Sequence, residues 1–157
     1  MSTSNREKSK LDLKETMLHS RRGSTVSRFI ESMNILDYKD KTFEQIIIDL
    51  LIKFDKINGL GRLTAYDITA AICKYYDIEI TKIYIIGPGP RRAAKLLKLK
   101  LKSQKICSPD KNIILRYLDI KDVIEVFDVN GYKFPSNLRN TNGDLIESFI
   151  CKWQSDR

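Results

Sequence analysis

Large apolar residues recur at steps of three and four over much of the chain, which is typical of amphipathic helices. The clearest stretch runs from Thr42 to Ile57, where Thr42 is suited to be the N-cap. A second helix is predicted from Leu63 to Tyr76. The apolar faces comprise Phe43, Ile46, Ile47, Leu50, Leu51 and Phe54 in the first helix, and Ala65, Ile68, Ala71, Ile72 and Tyr75 in the second. Packing in a core explains both faces.

The other segments have less regular patterns. A short helix is predicted from Ser27 to Leu36, and residues 78–86, rich in β-branched side chains, are interpreted as a short helix or an extended connector. Residues 113–127 predict one or two short helices. A last helix, residues 144–153, is expected to pack on the core through Leu145, Phe149, Ile150 and Trp153. These patterns predict an all-α fold, a compact bundle of about five to seven short helices.

A ten-residue pattern occurs twice, with its two copies 28 positions apart. The first copy starts with Gly59-Leu60-Gly61 and the second with Gly87-Pro88-Gly89. Each continues with three variable residues, an Ala, two variable residues and an aliphatic residue. Glycine tolerates the positive φ angles and close backbone approach of a tight turn. The pattern therefore predicts a turn leading into a helix, whose first backbone N–H groups can hold a phosphate oxygen.

These residues resemble the helix-hairpin-helix motif of sequence-nonspecific DNA-binding proteins, and their repetition resembles its tandem form, over residues 43–102. The resemblance implies that the bundle contains two such motifs, which grip phosphates of opposite strands across the minor groove. The second copy departs from the family pattern, because Pro88 and Pro90 have no N–H to offer a phosphate. Pro90 nevertheless is well placed as the first residue of a helix, so the turn is expected to form.

A looser resemblance, from Thr42 to Trp153, is to a group of small uncharacterised bacterial proteins. The shared elements run from Ile57 to Asp67, from Ile83 to Ile85 and from Ile146 to Cys151. This resemblance implies no activity. It implies that the C-terminal part belongs to the same domain as the glycine pattern.

The length of 157 residues is suited to one domain with a modest core. Residues 1–25 are rich in Ser, Thr, Lys and Arg and predict a basic flexible tail. Residues 26–157 are predicted to form a single helical domain, with the tandem hairpin core at 43–102 and a helical extension at 103–157.

The formal net charge of +8 is unevenly distributed. Residues 1–30 carry +4, residues 31–82 and 117–157 carry −2 each, and residues 83–116 carry +8, with nine basic side chains and one acidic. That last segment is the candidate for binding a polyanion.

The basic segment contains cations at alternating steps of four and three: Arg91, Lys95, Lys98, Lys102 and Lys105. On one continuous helix they form a single row, the "basic stripe", with Ala94, Leu97 and Leu101 on the buried face. The alternation of Lys and Leu from Lys98 to Lys102 also fits a strand. A helix is the preferred interpretation because no partner strand is evident nearby.

Other features of the sequence bear on compartment and cofactors. No apolar run approaches the ~18 residues of a membrane helix, and the polar N-terminus lacks the apolar stretch of a signal peptide. Cys73, Cys107 and Cys151 are widely spaced and odd in number, which indicates neither a disulfide framework nor a zinc site. His19 is the only histidine. A cytoplasmic protein without metal, cofactor or membrane association is expected.

An enzymatic function has two candidate forms. Helix-hairpin-helix motifs also occur in DNA glycosylases, whose catalytic Asp follows the hairpin, but here that region is rich in lysine and Asp110 lies in a Ser-Pro-Asp turn. A nuclease needs clustered carboxylates for metal ions. The candidates recur at steps of three: Asp119, Asp122, Glu125 and Asp128. Apolar residues between them describe an ordinary amphipathic helix, so no catalytic residue is predicted.

The preferred prediction is sequence-nonspecific binding of duplex or branched DNA, with backbone amides positioning phosphates and Lys and Arg supplying charge. The alternative is a protein-interaction module of a larger complex, which the two prolines favour and the basic stripe disfavours. No residue distinguishes DNA from RNA, so RNA stays an open partner. The predicted DNA-binding residues are Gly59, Leu60, Gly61, Arg62, Gly87, Gly89, Arg91, Arg92, Lys95, Lys98 and Lys102.

Overall fold

The computed structural model describes residues 23–107, 109 and 111–157. The chain divides into two compact units, one ending at Glu79 and the other running from Ile80 to Arg157. The predicted basic tail lies outside the described residues up to position 22, and a helix begins at Gly23.

In the first unit the described elements are helices. Helix α1 (Gly23–Ser32) leads to a 3-10 turn (Ile35–Tyr38), helix α2 (Phe43–Phe54) and helix α3 (Arg62–Tyr75). Helix α2 starts with a capping box: the Thr42 hydroxyl accepts from the Gln45 N–H, and the Gln45 side chain accepts from the Thr42 N–H. The predicted N-cap is confirmed, and all six apolar residues predicted for this helix are buried.

Helices α2 and α3 pack against each other, and aromatic contacts complete the core of this unit. Phe43 meets Tyr66 edge-on at 5.9 Å between ring centroids, and Phe29 meets Phe54 at 4.9 Å. The Tyr76 hydroxyl donates to the Ile35 carbonyl at 3.1 Å, which joins the end of α3 to the 3-10 turn. The first unit is therefore built from local helices and the apolar stripes that the sequence predicts.

The second unit combines helices and strands. It contains strand β1 (Lys82–Tyr84), helix α4 (Pro88–Leu96), strands β2 (Lys102–Cys107) and β3 (Asn112–Asp119), and helix α5 (Ile120–Val129). A 3-10 turn (Ser136–Leu138) and helix α6 (Gly143–Ser155) complete it. The strands form an antiparallel sheet in the order β1-β3-β2, with Ile83 opposite Leu118 and Gln104 opposite Leu115.

The predicted all-α bundle is therefore wrong, because the described residues form six α-helices and a three-stranded sheet. Residues 113–119, predicted as part of a helix, lie in the central strand, β3. Ile113 and Leu115 are buried while Ile114 and Arg116 are exposed, which is the two-residue period of a strand. Two neighbouring strands satisfy its backbone hydrogen bonds, and one of them, β1, is distant in the sequence.

The helices of the second unit enclose an aromatic core. Phe127 lies at its centre, 5.4 Å from Phe134, 5.6 Å from Phe149 and 5.3 Å from Trp153 between ring centroids. The predicted last helix is confirmed as α6, with Trp153 buried as a core anchor, but Leu145 is 50% exposed instead of packed. Among the described helices, none combines the length and apolar character needed to cross a membrane.

Candidate nucleic-acid interface

The first copy of the glycine pattern forms the connection between α2 and α3. Helix α2 ends at Phe54, and α3 begins at Arg62 after a turn that contains Gly59 and Gly61. Gly59 has φ +90°, in the left-handed region, and a Cβ built there has no atom within 4 Å. Glycine is needed at position 59 for its backbone conformation and not for lack of space.

The N-terminus of α3 is the part of this turn best suited to an anion. Its N-cap, Gly61, provides no side-chain hydrogen bond, and the first turn contains no acidic residue. The first intrahelical bond runs from the Ala65 N–H to the Gly61 carbonyl at 3.1 Å, so the amides of residues 61–64 precede the helical ladder. Arg62 is exposed and Leu63 is 54% exposed. A positive helix end and a cation therefore meet at the surface of this unit.

A carboxylate near the N-terminus of α3 disfavours the binding of an anion there. Asp67 lies in the second turn of α3. Desolvation by burial raises the pKa of its carboxyl above the ordinary value. When ionised, its carboxylate weakens the attraction that the helix end exerts on a phosphate.

The second copy has a different structure. It follows strand β1 instead of a helix, and its helix, α4, starts at Pro88 with Gly87 as the N-cap. Gly87 is buried and has an ordinary φ of −92°. Pro88 and Pro90 fall in the first turn, so only Gly87 and Gly89 carry N–H groups there. This helix end offers a phosphate fewer donors than α3 does.

Gly89 serves close packing between helices. A Cβ at this position lies 2.3 Å from the Cys151 Sγ, which is far inside van der Waals contact. Helix α4 therefore approaches α6 so closely that a side chain at position 89 would have to displace the Cys151 sulfur. Its sequence-predicted role as a phosphate-binding residue stays a prediction, whereas its packing role follows from this contact.

The predicted basic stripe does not form on one helix. Helix α4 ends at Leu96, Lys98 adopts φ +57°, and the Leu99 N–H bonds to the Ala94 carbonyl at 2.9 Å. This is a Schellman motif with lysine at the left-handed C′ position where glycine is usual. The prediction of a basic stripe on one helix is wrong, because the helix ends here and strand β2 begins at Lys102. Ala94 and Leu97 are buried, as predicted for the helix.

Two predicted DNA-binding cations make contacts within the protein. Arg92 donates to the Gln154 side-chain carbonyl at 2.8 Å and to the backbone carbonyls of Gln154 and Arg157, both at 3.3 Å. It thereby binds the C-terminal end of α6, where a cation is favoured. Lys102 forms an ion pair with Asp119 and lies 3.6 Å from an Asp122 oxygen. The other predicted cations of this unit, Arg91, Lys95 and Lys98, are exposed.

Three of the four acidic residues considered for a nuclease form ion pairs with basic residues. Asp119 and Asp122 neighbour Lys102, and Asp128 accepts two hydrogen bonds from Arg139, at 2.6 and 3.1 Å. The Arg139 hydrogen bonds lower the pKa of the Asp128 carboxyl. Within the ranges that the structure describes, no group of three His, Cys, Asp or Glu residues is placed to hold a metal ion.

A polar groove in the first unit was not singled out from the sequence. Its volume is about 460 Å³, and its lining includes Tyr38, Lys41, Asp49 and Lys53. The Tyr38 hydroxyl donates to Asp49 at 2.5 Å and accepts from Lys53 at 3.2 Å. Burial, with the Asp49 hydrogen bond, raises the pKa of Tyr38 to about 12. A tyrosine that holds its proton so firmly is a poor general base, so the network is best explained as a structural link.

Comparison of the chain with protein-family models, with curated proteins and with solved structures gives no match. The resemblance to the tandem helix-hairpin-helix domain therefore stays a prediction. The predicted residues up to Arg62 lie in the first unit, and those from Gly87 to Lys102 lie in the second.

Proposed function

We propose that this protein binds duplex DNA without sequence preference, through the turn between α2 and α3. The observation that carries the proposal is the exposed N-terminus of α3, which has a glycine N-cap, no side-chain cap and no acid in its first turn. Such an end holds a phosphate by backbone amides, which contact any sequence equally.

The strength of this interaction follows from the charges. An anion at a helix N-terminus is stabilised by about 0.3–1 kcal/mol, and Arg62 adds a second attraction. One turn alone gives weak binding, so exposed cations elsewhere must contribute. Arg91, Lys95 and Lys98 are the predicted residues of the second unit that fit this role, because Arg92 and Lys102 serve contacts within the protein.

The test is fluorescence-anisotropy titration of a labelled 20-base-pair duplex over a series of salt concentrations, a length chosen to span roughly two helical turns. The decisive variant is Gly61→Asp. Gly61 has φ −121°, which any residue adopts, and Asp is a favoured N-cap. We expect the variant to keep its helical circular dichroism and thermal midpoint, and to lose about tenfold in affinity because it places a carboxylate where the phosphate binds.

The matched control is Gly61→Asn, which caps the same amides without a charge. It should bind DNA more strongly than Gly61→Asp and more weakly than the wild type. Equal affinities of all three folded proteins, or no binding of the wild type at low salt, would contradict the proposal.

A protein partner is the second candidate, and the exposure of Leu63 favours it, since an apolar side chain gains nothing from a phosphate. Leu63→Ser separates the two functions. DNA binding through amides and Arg62 should be unchanged in this variant, whereas a protein interface at the same turn should be weakened. A loss of DNA affinity in Leu63→Ser would show that the turn contacts more than the phosphate backbone.

A further inference from the structure

Strands β2 and β3 form a two-stranded ribbon with one solvent-exposed face. Successive side chains of a strand point to opposite faces, so alternate residues of the two strands share this side. Three cross-strand pairs build it, and we name them the outer ribbon face: Ser103 with Arg116, Lys105 with Ile114, and Cys107 with Asn112. All six residues are exposed, and the large apolar Ile114 is 44% exposed.

The opposite face of the ribbon is largely buried, and so is the end of the ribbon nearest the core of the second unit. Ile113 and Leu115 on the opposite face are 0% and 2% exposed. Leu118, two residues beyond Arg116 on the outer side, is buried in the core with Ile83 and the helices. The outer ribbon face is therefore the part of an otherwise packed sheet that is open to a partner.

The chemistry of this face fits a polyanion. It carries Lys105 and Arg116 and no acidic residue, and it belongs to the segment 83–116 with nine basic side chains and one acidic. Lys102, on the other side of the same strand, is instead paired with Asp119. Ser103 and Asn112 add hydrogen-bonding groups, and Ile114 adds an apolar contact between the cations.

We infer that the outer ribbon face enters the major groove of B-form DNA, an inference that rests on the proposed function and adds a second contact to it. The major groove is about 12 Å wide and admits a two-stranded antiparallel ribbon. Duplex RNA has a deep, narrow major groove that excludes the ribbon. The face therefore selects DNA over RNA.

The first experiment compares the wild-type chain with Lys105→Glu and Arg116→Glu in anisotropy titrations with a DNA duplex and an RNA duplex of equal sequence. Each variant should lose about tenfold in affinity for DNA and show a shallower salt dependence. The matched control is Lys133→Glu, an exposed lysine of the same unit outside the sheet, which should lose much less. The wild type should bind the DNA duplex at least about tenfold more tightly than the RNA duplex.

The second experiment uses the native Cys107, which is exposed, while Cys73 is buried and Cys151 is half-buried. A duplex whose tether on C5 of a cytosine, in the major groove, ends in a mixed disulfide with a small thiol should be attacked by the Cys107 thiolate, which forms a disulfide with the tether and releases the small thiol. A tether on N2 of a guanine, in the minor groove, should not, and Cys107→Ser should abolish trapping. This readout requires no charge-reversal variant to fold.

The outcomes separate this inference from the proposed function. If the wild type binds DNA but both ribbon variants behave like Lys133→Glu, or trapping favours the minor groove, the ribbon inference is overturned and the turn before α3 is unaffected. If Gly61→Asp binds like the wild type and the ribbon variants do not, the ribbon inference is supported and the proposed role of the turn before α3 is contradicted. If the wild type binds no duplex DNA at low salt, both are overturned.

Discussion

In the first copy of the glycine pattern the helix begins after the second glycine, at Arg62, whereas in the second copy it begins after the first glycine, at Pro88. The residue that follows the first glycine accounts for much of this difference. Proline has a fixed φ suited to the first helical position and starts α4 immediately. In the first copy, Gly59 adopts φ +90° and delays the helix by two residues.

The same residue type consequently has different functions in the two copies. Gly59 provides a backbone conformation in open space, while Gly89 provides room for the Cys151 sulfur. The first copy keeps all the amide donors of its first helical turn, whereas prolines remove two donors from the second. A repeated motif therefore does not establish a repeated structure, and each copy must be tested by its own variants.

The largest expected effect is that of Gly89→Ala. Its methyl group meets the Cys151 Sγ at 2.3 Å, so we expect the free energy of unfolding of the second unit to fall by about 2–3 kcal/mol. Trp153, the only tryptophan, lies in this unit, and its fluorescence during urea denaturation gives the measurement. Combining Gly89→Ala with Cys151→Ala should recover most of the loss. No recovery would show that position 89 is constrained by something other than this sulfur.

Gly59→Ala should cost about 1–2 kcal/mol, because a left-handed backbone disfavours a Cβ even where space is open. Gly59→Asn should cost less, since asparagine tolerates positive φ better. The measurement is thermal unfolding followed by circular dichroism of helix. If the alanine and asparagine variants lose equal stability, the backbone explanation for Gly59 is wrong.

The first unit should also lose stability at alkaline pH through Tyr38. The pKa of its hydroxyl is raised from 10.0 to about 12, so the folded state favours the protonated form. The contribution is complete below pH 10 and is lost as pH rises from 10 to 12. Absorbance titration of tyrosinate should show one group ionising near pH 12 that is missing in Tyr38→Phe. A Tyr38 whose pKa lies near 10 would contradict the burial of its hydroxyl and its hydrogen bond to Asp49.

The neighbouring arginines of the second copy should differ. Arg92→Gln should lower the free energy of unfolding by about 1 kcal/mol, because Arg92 bonds the last carbonyls of α6. Arg91→Gln should leave stability unchanged within about 0.5 kcal/mol, as expected for an exposed surface substitution. Urea denaturation of both variants checks this pair, and an equal loss in both would contradict the structural assignment of Arg92.

The smallest effect concerns the first copy. Asp67→Asn removes a negative charge from the second turn of α3, and we expect DNA affinity to rise about two- to threefold. The same anisotropy titration measures it, at low salt where surface charges are least screened. Unchanged affinity at low salt would place the phosphate away from this end of α3.

Helices α2 and α3 of the first unit were predictable because their signals are local, whereas the helix expected from Ser27 to Leu36 instead spans Gly23–Ser32 and is followed by a 3-10 turn. The capping box at Thr42 and the apolar stripes of α2 and α3 lie within single helices, and sequence spacing is enough to find them. The sheet was not predictable in this way, because β1 pairs with β3 across the whole of α4 and β2. Lysine at the left-handed position 98 also concealed the end of α4, which glycine would have signalled.

The candidate sites also differ in whether they depend on local sequence or on distant residues. Arg62 and the α3 N-terminus follow from the sequence pattern, whereas the packing of Gly89 depends on Cys151, a residue of another helix. The outer ribbon face was missed because a helical interpretation placed Lys105 in a row with Lys102, while the strand places these two residues on opposite sides.

The left-handed backbone at Lys98 has an evolutionary consequence. A lysine in this conformation is less stable than glycine by about 1 kcal/mol, so replacement by glycine at this single position is a stabilising step. That step also removes an exposed positive charge from the basic segment. Homologues selected for heat resistance should therefore drift towards glycine at this site, and those selected for polyanion affinity should retain lysine.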